Sequence, residues 1–138
     1  MSLHRHTVRV YFEDTDFSGA VYHAAYLHFF ERGRTEFLRE LGVHHSELAK
    51  EGIAFAVRRM TIDFLRAAAI DDLLEVETVV AASTGARMDL MQTIRRGAET
   101  IATADVTVVA IKAGRAVRLP QVLMAAIERL APSADSKS

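Results

Sequence analysis

The chain has 138 residues and a net charge of -1; 50% of its residues are hydrophobic, 25% are charged and none is cysteine. This is the profile of one globular domain with enough apolar material for a core. The charge balance gives no electrostatic ground for nucleic acid or an anionic membrane surface, and the lack of cysteine excludes a disulfide framework, a Cys-based metal site and a Cys nucleophile. No apolar run approaches the roughly 18 residues of a membrane span. The opening "MSLHRHTVRV" lacks the apolar core of a signal peptide, so cytoplasmic residence is expected.

Thr7 to Glu13 alternates, with Val8, Val10 and Phe12 on one side, and reads as a half-buried strand. Turn residues follow from Asp14 to Gly19. From Ala24 to Leu41 the period changes to three and four. Tyr26, Phe30, Gly33, Phe37 and Leu41 form a stripe, widened by Leu27 and Leu38, which predicts an amphipathic helix of about five turns. Gly42 is placed to end it. Gly33 costs roughly 1 kcal/mol of helix propensity against Ala, so its place on the stripe points to close packing against another backbone or a sheet.

"VHHSELAKEG" predicts a short second helix with Ser46 as N-cap and Gly52 as stop. Four strand-like stretches follow: "IAFAVRRMTIDFLRAA", "DLLEVETVVAAS", "ARMDLMQTIRR" and "ETIATADVTVVAIKA". In the second, Leu74, Val76, Thr78 and Val80 share one face. The links are short, which favours antiparallel neighbours. "LPQVLMAAIERLA" predicts a final short helix with Pro120 near its start. The expectation is a single α+β domain over residues 1–131, an antiparallel sheet curved around one long helix, and a disordered polar tail over 132–138.

The segment "EDTDFSGAVYHAAY", Glu13 to Tyr26, sets three acids and a histidine at the start of the long helix. Asp and Ser are ordinary turn residues, and a turn role accounts for Asp14 or Asp16 without any chemistry. His23 is equally compatible with a polar helix-start residue. The functional reading needs a carboxylate acting as base or nucleophile, and donors for developing negative charge. Asp16 supplies the first. The unpaired N–H groups of the helix start near His23 supply the second. Acyl-transfer chemistry is therefore a possible reading of the spacing.

"VRVYFEDTDFSGAVYHAAYLHFFERGRTEFL" (Val8 to Leu38) resembles the YbgC-type acyl-CoA thioesterases, relatives of 4-hydroxybenzoyl-CoA thioesterase with the hotdog fold. "VRRMTIDFLRAAAIDDLLEVET" and "GRAVRLPQVLMAAI" resemble the later part of the same family. The resemblance implies that Asp16 is the catalytic carboxylate, as general base for water or as nucleophile on the thioester carbon. It implies that His23 marks the oxyanion hole through its backbone N–H, with its imidazole orienting substrate or moving protons. It also implies a homo-oligomer, a dimer at minimum and often a tetramer, with the active site at the subunit interface, and no metal. No cofactor is implied, coenzyme A being part of the substrate. The chain departs from its relatives at Phe12, where many carry an aromatic hydroxyl, and at Ala67–Ala69, where many read Pro-Ala-Arg.

Tyr22, Arg66 and Arg87 are the candidate substrate-binding residues, the two arginines for coenzyme A phosphates. The pairs His4/His6 and His44/His45 lack a third ligand in the sequence, so no metal site is expected. Two further readings of the site stand beside hydrolysis. One is a hotdog hydratase that uses Asp16 and His23 on an enoyl thioester. The other is a non-catalytic module that binds acyl-CoA or acyl carrier protein, or a partner of the Tol–Pal envelope system.

Overall fold

A computed structural model describes residues 3–130, so the expected tail over 132–138 lies outside the described residues. Strand β1 (His4–Arg9) keeps the expected alternation, and Val8 and Val10 are buried. It stops short of the expected end at Glu13, and Phe12 is 79% exposed instead of facing inward. The cause is local. Asp14 Oδ2 accepts the Tyr11 N–H at 2.9 Å, and the N–H groups of Asp14 and Thr15 close onto the carbonyls of Tyr11 and Phe12. These bonds curl Phe12–Asp14 into a single 3-10 turn.

Helix α1 (His23–Glu40) buries Ala25, Tyr26, Phe29, Phe30, Gly33, Phe37 and Leu38. Phe29 thus belongs to the apolar face that the sequence stripe did not include, while Leu27 is exposed and Leu41 caps the helix end. A helix seated in a concave sheet buries more than one seam; Leu27 and Leu38 share nearly one azimuth, yet only Leu38 is covered. The expected close approach at Gly33 is present, but against side chains. A Cβ there would lie 2.5 Å from Val76 Cγ1 and 3.3 Å from Gln92 Nε2. Gly42, at φ +87°, ends the helix in the left-handed conformation. Helix α2 (His45–Lys50) is capped by the carbonyl of His44, which accepts from Glu47 and Leu48, so Ser46 is not the N-cap.

The sheet comprises β2 (Ile53–Phe64), β3 (Leu73–Ser83), β4 (Met88–Arg96), β5 (Glu99–Lys112) and β6 (Arg115–Val117) with β1. Its order is β1-β3-β4-β5-β2, with β6 on β5, and every pairing is antiparallel. Strand β6 is an addition to the four expected after α2. Helix α3 (Gln121–Leu130) follows Pro120, whose carbonyl accepts from Leu123 and Met124. Leu74, Val76, Thr78 and Val80 all face inward and are buried, as their alternation predicts.

Short links hold β3–β4 and β4–β5 as neighbours, but β2 and β3 do not pair. The chain between them, Leu65 to Asp72, crosses the end of the sheet instead. Leu65 and Arg66 donate to the Ile101 carbonyl, Arg96 donates to the Ala67 carbonyl, and Val10 donates to the Asp72 carbonyl. Extended residues reach about 3.3 Å each and strands lie about 4.8 Å apart, so this length suffices to pass β5 and β4. The crossover runs against the loop before α1, and Ala68 within it is fully buried. Its path brings the two halves of the candidate site together.

At the middle of the sheet, buried Gln92 donates from Nε2 to the Phe30 carbonyl (3.0 Å) and to Thr78 Oγ1 (2.9 Å). Its Oε1 accepts from Arg34 Nη1 at 3.1 Å. Both polar atoms of the Gln92 amide therefore have partners, as burial requires. Burial pushes the Arg34 guanidinium below its usual value, against the opposing influence of Glu31.

Candidate active site

The loop ahead of α1 is closed by three backbone contacts. Asp16 N–H donates to the Ala20 carbonyl at 3.0 Å, Gly19 N–H donates to the Asp16 carbonyl at 3.0 Å, and Thr15 and Val21 form an antiparallel bridge. Gly19 has φ +86°, a conformation that glycine adopts without the steric cost of a side chain. The loop is fixed from below by the crossover: Val21 N–H donates to the Ala68 carbonyl, and Ile70 N–H to the Gly19 carbonyl. Tyr22 N–H donates to the Asp14 carbonyl, so Asp14 is occupied as turn structure by both its side chain and its backbone.

Asp16 therefore projects from a tied loop opposite Ala20, just before the helix start at His23. Its carboxylate is exposed, and Oδ1 accepts both the Ser18 N–H (2.8 Å) and the Ser18 hydroxyl (2.5 Å). These bonds, the hydroxyl first and the N–H second, hold the carboxyl below the ordinary aspartate value. It is ionised at neutral pH.

Tyr22 caps α1 in an extended conformation. The first helical N–H groups have no intrahelical acceptor, and among the described residues those of His23 and Ala24 make no hydrogen bond outside the helix. The His23 ring lies 4.7 Å from that of Tyr22 and 6.3 Å from that of Phe64 on β2. Phe64 in turn lies 5.5 Å from Tyr26. His23, Tyr26, Phe64 and Arg66 help line a cleft of about 340 Å³ between the helix start and the crossover. The cleft offers aromatic walls and the Arg66 cation; Asp16 and Tyr22 are not part of its lining.

Of the residues singled out in the sequence, the chain brings Asp16, Tyr22, His23 and Arg66 to this end of the sheet. Arg66 also pairs with Glu99 at 3.5 Å. Arg87 lies elsewhere. It precedes β4, whose other end meets the crossover through Arg96, and the strand's nine residues span roughly 30 Å. Arg87 pairs with Asp89 at 3.3 Å and lines a separate cleft of about 560 Å³ with Arg58, Arg59 and Asp105. His4 and His6 share a face of β1, but His4 Nε2 is held by Glu40 at 3.0 Å. Among the described residues no three side chains are grouped as a metal would need.

Sequence reasoning missed Phe64 as a neighbour of His23, because that contact depends on the path of the crossover. It also passed over Ser18. Its signal was present: a serine two residues after an aspartate is a recurrent side-chain-to-backbone pattern.

Residues 10–127 match the model of the Thioesterase-like superfamily. The chain belongs to that superfamily. It is 44% identical to the acyl-CoA thioesterase YbgC of Haemophilus influenzae, over 89% of this chain and 93% of that one. Identity to the acyl-CoA thioester hydrolase YbgC of Escherichia coli O6:H1 is 41%, over 80% and 83%. A probable thioesterase from Bartonella henselae superposes with a TM-score of 0.83 at 47% identity, over 86% of this chain and all of that one. A DHNA-CoA thioesterase from Staphylococcus aureus, at 21% identity, shares the fold with a TM-score of 0.91. The sheet wrapped on α1 is thus the hotdog fold, and the superfamily member is a thioester hydrolase. Among the described residues no helix is long and apolar enough to cross a membrane.

Proposed function

We propose that the protein hydrolyses acyl-CoA thioesters to a free acid and coenzyme A, with Asp16 as its catalytic carboxylate. The observation that carries this reading is an ionised, exposed Asp16 on a tied loop that runs directly into a helix start whose first N–H groups are free. Asp16 either takes a proton from the attacking water or adds to the thioester carbon itself. In both routes the carbonyl oxygen gains negative charge. The His23 N–H and the positive end of the α1 macrodipole stabilise it. The C–S bond then breaks, and the thiolate of coenzyme A takes up a proton; in the nucleophilic route water then hydrolyses the mixed anhydride left on Asp16, releasing the acid and restoring the carboxylate. Water is the only co-reactant, and coenzyme A is a product, not a resident cofactor.

The relatives named YbgC support the choice of coenzyme A as carrier. Tyr22 and Phe64 flank the His23 ring and suit the acyl portion, while Arg66 suits a phosphate. Arg87 joins the same substrate only if a second copy supplies it. A dimer fits this requirement, and so does the outer edge of β2, a 12-residue strand paired only with β5 among the described residues. The reading includes a homo-oligomer of at least two copies, with a tetramer and delivery by acyl carrier protein as further options.

The test is release of free thiol from short, long and aromatic acyl-CoA substrates. Hydrolysis releases thiol stoichiometrically with acid. Hydration of an enoyl thioester releases none, and a binding module shows saturable binding with no turnover.

A further inference from the structure

We infer that Ser18 is a positioning residue for Asp16, using its N–H and its hydroxyl together on Oδ1 so that Oδ2 alone is left to react. This rests on the proposed role of Asp16 in thioester hydrolysis.

The geometry is specific to one oxygen. Both Ser18 donors meet Oδ1, at 2.8 and 2.5 Å, and among the described residues no donor meets Oδ2. An exposed aspartate with a single backbone contact rotates freely about χ2. A second donor from a different atom of the same residue fixes the carboxylate plane. The Ser18 hydroxyl also lies 3.3 Å from the Ala20 N–H, which donates to it and sets its own rotamer. Ala20 is the residue that closes the loop onto Asp16 N–H. Serine and carboxylate are therefore oriented by the same tied loop, whose glycine turn is held by the crossover.

The chemistry follows from this division of the two oxygens. Charge on Oδ1 is partly offset by its two donors. Oδ2 carries the accessible lone pairs. The same donors keep Asp16 ionised at lower pH, through the hydroxyl first and the N–H second. The other ionisable groups on and against the adjoining segments are Tyr11, Glu13, Asp14, Tyr22, His23 and Tyr26 around the loop and helix start, Arg66, Asp71 and Asp72 on the crossover, and Arg9, Arg96 and Glu99 beside it. None is within ion-pair distance of Asp16 among the described residues. Ser18 is consequently the side chain that sets both the orientation and the acidity of Asp16.

Three forms of the full chain test this: wild type, Ser18→Ala and Ser18→Thr. The readouts are kcat and KM for thiol release as a function of pH, and the Asp16 carboxyl titration followed by carbon NMR. In Ser18→Ala, kcat is expected to fall about tenfold with KM nearly unchanged, as misplacement of a reacting group produces. The Asp16 titration and the acidic limb of kcat/KM both move to higher pH. Ser18→Thr restores them. A Ser18→Ala enzyme with the wild-type pH profile and titration overturns the inference, whatever its stability. If the wild type releases no thiol from any substrate, the hydrolase reading fails. The NMR titration still decides the Ser18 contact: an unmoved Asp16 midpoint overturns it, and an upward shift restored by threonine upholds it.

Discussion

The Tyr26 hydroxyl accepts the N–H of Ala68 at 3.0 Å, which fastens the crossover to the first turn of helix α1. Both residues are buried, so this N–H has no water to turn to. Tyr26→Phe keeps the ring and removes the acceptor. It should cost about 1–3 kcal/mol, the penalty of a buried donor left unmade. Urea unfolding measures this loss. A variant as stable as wild type would show that the crossover finds another partner for Ala68.

Gly33 faces Val76 and Gln92 where a Cβ would sit 2.5 Å from Val76 Cγ1. Gly33→Ala gains about 1 kcal/mol of helix propensity. It also overpacks the helix-sheet contact, which typically costs about 1–3 kcal/mol. The helix must lift or Val76 must leave its rotamer, and Gln92 then loses ideal reach to the Phe30 carbonyl. A net loss of about 1 kcal/mol is expected. A rise in the melting temperature would contradict this packing.

The period of the sequence made α1 and the inner face of β3 legible, because burial on one side imposes alternation directly. Leu74, Val76 and Val80 needed no tertiary information. The separation of β2 from β3 was not legible. Short links favour adjacency in general, and only the run of bonds from Leu65 to Asp72 across the sheet end reveals the exception. The end of β2 and the crossover that follows it bring Phe64 and Arg66 to the cleft beside His23, which is why half of the cleft was invisible beforehand. Asp16 and His23 were readable because one local segment holds both. Arg87 was readable as a cation but not as to place, since its position depends on the length of β4.

Asp72 closes the crossover by accepting the Ala69 N–H at 2.9 Å and Arg96 Nη1 at 2.6 Å. The backbone bond first and the Arg96 contact second hold its carboxyl below the ordinary aspartate value of 3.8. A depressed folded-state pKa means that this contribution is fully present above the unfolded value. It is lost as the pH falls through the folded value. Stability should therefore decline below about pH 4. Asp72→Asn should start less stable at neutral pH and lose less on acidification. Thermal melts between pH 7 and pH 3 give both slopes, and parallel slopes would exclude Asp72 from the acid response.

The roles proposed for Asp16 and His23 separate by substitution. Asp16→Asn keeps an oxygen for Ser18 and so should fold normally, while kcat falls by at least about a hundredfold, the lower range for loss of a positioned base. His23→Ala keeps the backbone N–H and should cost less. His23→Pro removes that N–H at the first helical position, where proline is well tolerated. Tyr22, at φ -68° and ψ 134°, already has the extended conformation that a following proline requires. Its expected loss is about a hundredfold to a thousandfold in kcat, the usual cost of one oxyanion donor. Circular dichroism confirms the helix, and thiol-release kinetics rank the three variants. If alanine and proline at position 23 reduce kcat equally, the imidazole carries the effect and the backbone donor does not.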